Sequence, residues 1–205
     1  MIKLLARLYE PTHGQILIDG VDLGKVDLDD WRSTLGVLLQ DYNKYTLSAR
    51  ENIEIGRIEK SGDLDRIGHA VTQADAGSIV AGWKDGLDQK LFKIYPAGIM
   101  LSGGQWQRLA LARTFYRQAN VVVLDEPTAA VDAKAEGEIF DRLMTEHQGK
   151  SSIIISHRFS TVRRADRIFV LDKGKIVEEG SHEELMQLDK GVYRELFEIQ
   201  AKGYR

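Results

Sequence analysis

The chain has no cysteine among its 205 residues, which excludes a disulfide framework and a thiolate metal centre and fits a reducing compartment. It has no long apolar run either. A bilayer-spanning helix needs about 20 consecutive apolar residues, so any membrane link is expected to come through a partner or through further polypeptide. No signal-peptide pattern follows Met1. Neither sign of charge dominates: 28 Lys and Arg against 31 Asp and Glu give a formal net charge of −3. With no long run of either sign, there is no electrostatic footprint for nucleic acid or an anionic surface. Internal repeats and low-complexity tracts are absent as well. What is there is an ordinary globular balance, 43% hydrophobic and 29% charged, in a length that suits one domain with a buried core.

The most informative stretch is Leu101-Ser102-Gly103-Gly104-Gln105-Trp106-Gln107-Arg108, which runs into Leu109-Ala110-Leu111-Ala112-Arg113-Thr114-Phe115-Tyr116-Arg117. The second part has strong helix formers, with Leu109, Ala112 and Phe115 or Tyr116 at helical spacing. Ser102 and the two glycines therefore stand at a helix N-terminus, where free backbone N–H groups and the positive end of the dipole favour an anion. Alone, Ser-Gly-Gly reads more readily as an N-cap with glycines in a turn. Further on, Val121-Val122-Val123-Leu124 is a short apolar, mostly β-branched run. It reads as a buried strand of a parallel sheet, and it ends in Asp125-Glu126-Pro127-Thr128. Ligands of open α/β sheets bind beyond the carboxyl ends of the strands. An Asp there can hold Mg2+, and a Glu can orient and deprotonate a water.

Together, in this order and spacing, the two stretches resemble the ATP-binding-cassette (ABC) ATPases. Leu101 to Gln105 matches the family signature letter for letter, and Leu124 to Thr128 matches the Walker B segment. Ala129-Ala130-Val131-Asp132 is similar to the D-loop, and Ile155-Ser156-His157-Arg158 to the switch-histidine segment. Gln40, at the end of Gly36-Val37-Leu38-Leu39-Gln40, is similar to the Q-loop glutamine. The likeness covers essentially the whole chain and is strongest to the nucleotide-binding domain of bacterial exporter-type transporters. It departs at Met100, where a polar or acidic residue is usual, and in one larger respect. The sequence nowhere contains G-x-x-x-x-G-K-[ST], the P-loop that cradles phosphates. Residues 2–9 resemble the helix that follows that loop.

The resemblance implies an α/β fold with a P-loop NTPase-like core. A mainly parallel sheet is joined by a helical signature subdomain at about residues 46–115, with the N-terminal strands and the P-loop missing from a single partial cassette, 1–205. It implies ATP and Mg2+ as ligands and attack of water on the γ-phosphate. Glu126 would be the general base, Asp125 and Gln40 the Mg2+ side, and His157 a γ-phosphate contact. Leu101, Ser102, Gly103, Gly104 and Gln105 would clasp the ATP of an opposite cassette, with Asp132 at the dimer seam. The expected partners are a second cassette and a membrane domain, with Tyr42, Tyr45 and Trp83 as candidate contacts, although Trp83 reads better as a core residue. No nucleic acid is expected. The expected location is the cytoplasmic face of the membrane, or the cytoplasm if the chain occurs alone, with weak ATP binding by the chain by itself. A non-hydrolysing partner cassette and a non-transport ABC protein stand as alternatives.

The remaining expectations are local. Residues 1–9 and 27–35 read as helices, the latter with Trp31 and Leu35 inward. Residues 61–93 read as helical with breaks at Gly82, Gly86 and Gly98, and residues 133–148 as an amphipathic helix with Ile139, Leu143 and Met144 inward. Residues 15–20 and the buried run 151–156 read as strands. Residues 168–172 and 175–180 read as paired strands across Lys173-Gly174. Ser181 and Glu184 form a capping box, and the last helix runs to about Lys202.

Overall fold

The computed structural model describes residues 1–203 except 130, 132 and 147. It divides into two compact units, Met1–Ile155 and Ser156–Arg205.

The first unit is built round α6, Gly103–Arg117, and a parallel sheet of β3 (Leu35–Leu38), β4 (Val121–Asp125) and β5 (Ser151–Ile155), in that order. β4 is the middle strand, and Val122, Val123 and Leu124 are at most 1% exposed, as a run apolar on both faces requires. β5 was expected to be as deeply buried, but its residues from Ser152 on are half-buried. Like β3 it is an outer strand of this sheet among the described residues, but α6 packs against β3, which is largely buried. Helix α6 is buried on most of its sides: Leu109, Ala110, Leu111, Ala112, Phe115 and Tyr116 are all enclosed, and so are Gln107 and Thr114. A helix of that kind belongs in an interior. It packs against β3, α3 (Ala49–Glu54), α4 (Leu64–Gln73) and the 3-10 segment Ile55–Lys60. At its end Gln118 takes φ 52°, and Arg66 donates to the carbonyls of Tyr116 and Arg117 at 2.5 and 3.0 Å, satisfying orphan groups of the last turn.

The opening helix is shorter than its pattern suggests. α1 is only Ile2–Leu5. Arg7 turns left-handed at φ 47°, with Leu8 N–H bonded to Lys3 O and Arg7 N–H to Leu4 O, a Schellman closure without glycine. The next helix, α2 (Leu28–Thr34), holds that end. Trp31 Nε1 donates to Leu5 O at 2.7 Å and Arg32 Nη2 to Arg7 O at 2.9 Å. Trp31 and Leu35 are buried as expected. Between α1 and α2, Leu17–Ile18 (β1) and Val21–Asp22 (β2) form a small antiparallel pair. Trp83 packs, partly buried, against the main core, after α5 (Gly77–Ala81). Helix α7, Ala133–Glu146, turns Ile139 and Leu143 inward, with Met144 partly buried.

A capping box starts α3. Glu51 accepts from Ser48 N–H at 2.7 Å and sits 3.1 Å from Lys90 Nζ. The bonds from Ser48, with help from Lys90, hold the Glu51 carboxyl down to about 2. A carboxyl depressed in the folded state contributes stability that is full above its ordinary value and lost as pH falls. Acid unfolding is therefore expected to steepen between about pH 4.5 and about pH 2. Glu51→Gln should flatten that limb in circular dichroism at stepped pH while leaving neutral stability only slightly lower, since the pair is half exposed.

In the second unit, the short α8 (Phe159–Val162) precedes β6 (Ile168–Asp172) and β7 (Lys175–Gly180), which pair antiparallel across Lys173 and Gly174, at φ 46° and 78°. That is the tight hairpin geometry with both central residues at positive φ. Beyond the Ser181 capping box lie two helices rather than one, α9 (His182–Gln187) and α10 (Val192–Gly203). The break falls at Lys190-Gly191, and the Glu178 carboxylate on β7 accepts from Val192 N–H and Tyr193 N–H to start α10. No described helix is long and apolar enough to cross a membrane.

Candidate functional site

Ser102 is the N-cap of α6. Its Oγ accepts from Gln105 N–H at 3.3 Å, and its own N–H donates to Gln105 Oε1 at 3.0 Å. The capping box aligns the first turn and is worth about 1 kcal/mol. Ser102 and Gly103 are exposed, Leu101, Gly104 and Gln105 half-exposed. The serine thus serves as a cap, the N-cap reading of Ser-Gly-Gly, at an exposed helix start.

At the end of the sheet, Asp125 closes β4 opposite Ile155, and Glu126 follows immediately, with its N–H bonded to Ile155 O at 2.9 Å. Both carboxylates are half-exposed. Glu126 has φ 48°, a left-handed conformation that costs a non-glycine residue about 1–2 kcal/mol. Such a residue persists where its surroundings over-determine it. Here the sheet takes its N–H, while its carbonyl accepts from Ala129 N–H at 3.2 Å and from Gln107 Nε2 at 3.0 Å. Gln40, just beyond β3, brings its amide to 3.5 Å from Glu126 Oε2. The parallel β3–β4 pairing brings these two residues, 86 positions apart, to one end of the sheet. Tyr42, two residues on, donates its hydroxyl to Gly103 O at 3.2 Å. The loop after β3 therefore touches both the carboxylate and the start of α6.

His157 lies in the second unit, exposed, with its carbonyl accepting from Gln200 Nε2 at 3.1 Å. Gln200 Oε1 also accepts from Phe159 N–H at 2.9 Å, so one α10 side chain braces the backbone on both sides of Arg158. Asp132 lies outside the described residues. Three partners were not foreseen from sequence. They are Gln107, Gln200 and the buried bond from Thr128 Oγ1 to Glu136 Oε1 at 3.0 Å, which ties the turn after Glu126 to α7. Only Gln107 carried a signal, a polar residue on the inward side of an apolar helix. Among the described residues no group of three or more His, Asp or Glu side chains converges as a metal cage.

The family described as "ABC transporter" matches residues 1–129. The Bacillus subtilis subtilin transport ATP-binding protein SpaT is 40% identical over 186 residues, 91% of this chain and 30% of that protein. The ATP-dependent lipid A-core flippase of Burkholderia orbicola is 40% identical over 98% of this chain and 32% of its own length. Among solved structures, a bacterial Atm1-family ABC exporter with ATP bound superposes with a TM-score of 0.88 at 34% identity, over 98% of this chain and 34% of that one. The chain spans about a third of the length of the relatives it matches.

Proposed function

Because the chain belongs to the ABC transporter family, we propose that it acts as the ATP-hydrolysing cassette of an exporter-type transporter, in a head-to-tail pair with a second cassette. The observation that carries this is the meeting of Gln40 and Glu126 at the carboxyl end of β3 and β4. That is where an open α/β sheet binds its ligand. In the reaction, water attacks the γ-phosphorus, the bond to the ADP oxygen breaks, and the water's proton passes to the Glu126 carboxylate. The Gln40 amide orients the group that Glu126 receives from, and His157 donates to a γ-phosphate oxygen. Asp125 and Gln40 offer the hard oxygen ligands that Mg2+ takes alongside phosphate, and Mg2+ bound there supplies charge neutralisation on the phosphates. Leu101, Ser102, Gly103, Gly104 and Gln105 serve the ATP held by the opposite cassette, through the Ser102 hydroxyl and the first-turn N–H groups of α6. Asp132 lies at the seam between the cassettes. Residues 46–115 act as the helical subdomain that carries this surface.

The membrane domain docks beside the Q-loop. A groove of about 380 Å3 there is lined by Leu39, Tyr42, Tyr45, Arg113 and Arg117 among others, apolar with cationic walls. The working location is the cytoplasmic face of the membrane. The sequence contains no P-loop motif, so the α- and β-phosphates are not cradled by the residues described above.

Fractionation of native cells with an antibody raised against residues 181–205 tests the reading. The antigen is expected in the membrane fraction, and the captured material is expected to hydrolyse ATP. A soluble antigen without ATPase activity would instead favour the non-hydrolysing partner cassette.

A further inference from the structure

Gln107 is 3% exposed on a helix whose other buried positions are apolar except Thr114. An apolar residue of similar length would fill the same space at no desolvation cost. The Gln107 amide nitrogen donates to the Glu126 carbonyl at 3.0 Å. That carbonyl belongs to the residue held left-handed at φ 48°. The sheet fixes the other side of the same residue, through Glu126 N–H to Ile155 O at 2.9 Å. With N–H and C=O both pinned, the Glu126 Cα–Cβ bond has a fixed direction, and the carboxylate is carried out from that fixed point towards Gln40 at 3.5 Å. The same helix begins five residues earlier at Ser102, and its first turn is tied to the loop after β3 by Tyr42 on Gly103 O. A displacement of the Ser102 end thus reaches Gln107 through about one and a half rigid helical turns.

We propose that Gln107 is a positioning residue: by holding the Glu126 carbonyl it aims the Glu126 carboxylate and links that aim to the seating of the signature end of α6. This deepens the proposed function and rests on it. It gives α6 a second role, as the connection between the site Ser102 serves and the site Glu126 serves. A residue with a merely structural role would change stability without separating kcat from KM.

The test uses the protein captured from its own cells with the antibody above, from strains edited to Gln107→Met and to Gln107→Asn. Met keeps the length without the donor, and Asn keeps the amide but withdraws it by one carbon. The expected result for Q107M is a fall in kcat of about tenfold or more with KM for ATP within about twofold, and Q107N should fall between Q107M and the unsubstituted protein. On a Glu126→Gln background, in single-turnover assays, Q107M should add no further loss, because the carboxylate it aims is gone. If Q107M keeps its kcat, or its effect multiplies fully with that of Glu126→Gln, the inference is overturned while the proposed function stands. Absence of hydrolysis in the unsubstituted protein overturns both. Q107N accumulates even where Q107M does not fold, and full activity in Q107N would equally overturn the inference.

Discussion

Glu126→Gln is expected to lower kcat for ATP hydrolysis by about 10²–10⁴-fold while leaving ATP affinity nearly unchanged. The substitution keeps the shape of the side chain and removes its ability to take a proton. Gln40 donates towards Glu126 Oε2 at 3.5 Å, and a glutamine turned with its carbonyl oxygen towards Gln40 preserves that contact. The backbone bonds to Ile155 and Gln107 do not involve the side chain at all. The strained turn should therefore survive, and the loss should fall on the chemical step. Steady-state kinetics of the captured assembly, with a parallel ATP-binding titration, separate the two. A variant that hydrolyses within tenfold of the unsubstituted protein would remove Glu126 from the role of base.

A large effect on stability is expected at Gly56. A Cβ added there would lie 2.2 Å from the Arg113 carbonyl oxygen and 3.2 Å from its carbon. Both are backbone atoms of α6, in the most densely buried part of the molecule, so neither can move without disturbing the helix. Gly56 O also accepts from Arg117 Nη1 at 2.8 Å, which pins the 3-10 segment from the other side. Overpacking of this kind costs about 3 kcal/mol, and Gly56→Ala should lower the melting temperature by about 6–12 °C. Gly68→Ala is the comparison. It sits inside α4 with nothing within 4 Å of the added Cβ, so it should be neutral or stabilising by up to about 1 kcal/mol. Equal melting temperatures for the two variants would contradict the close approach of the 3-10 segment to α6.

Local signals were legible where one element decides its own form. The Ser102 and Ser181 caps stand where the pattern put them. The apolar run of β4, the helical spacing of α6 and the Lys173-Gly174 turn did as well. Each depends on residues only a few positions apart. The readings that shifted depended on distant neighbours. α1 stops at Leu5 because Trp31 and Arg32 of α2 take its last carbonyls. β5 is only half-buried because burial of a strand is a property of what lies beside it. α10 begins afresh because Glu178, from β7, caps it.

The candidate site divides in the same way. Residue order along the chain carried the resemblance to the ABC ATPases, and it is that resemblance, rather than the residue types alone, that named Ser102, Gln105, Asp125, Glu126, Gln40 and His157 as candidates. What only the tertiary structure decided is which of them meet. Gln40 reaches Glu126 because β3 and β4 run parallel in a set register. Glu126 stands left-handed because a strand takes its N–H and a helix side chain its carbonyl. A periodic pattern in sequence encodes the face an element turns inward. The partner that face meets is chosen by packing and hydrogen bonding across dozens of residues, and that choice exists only once the chain has folded.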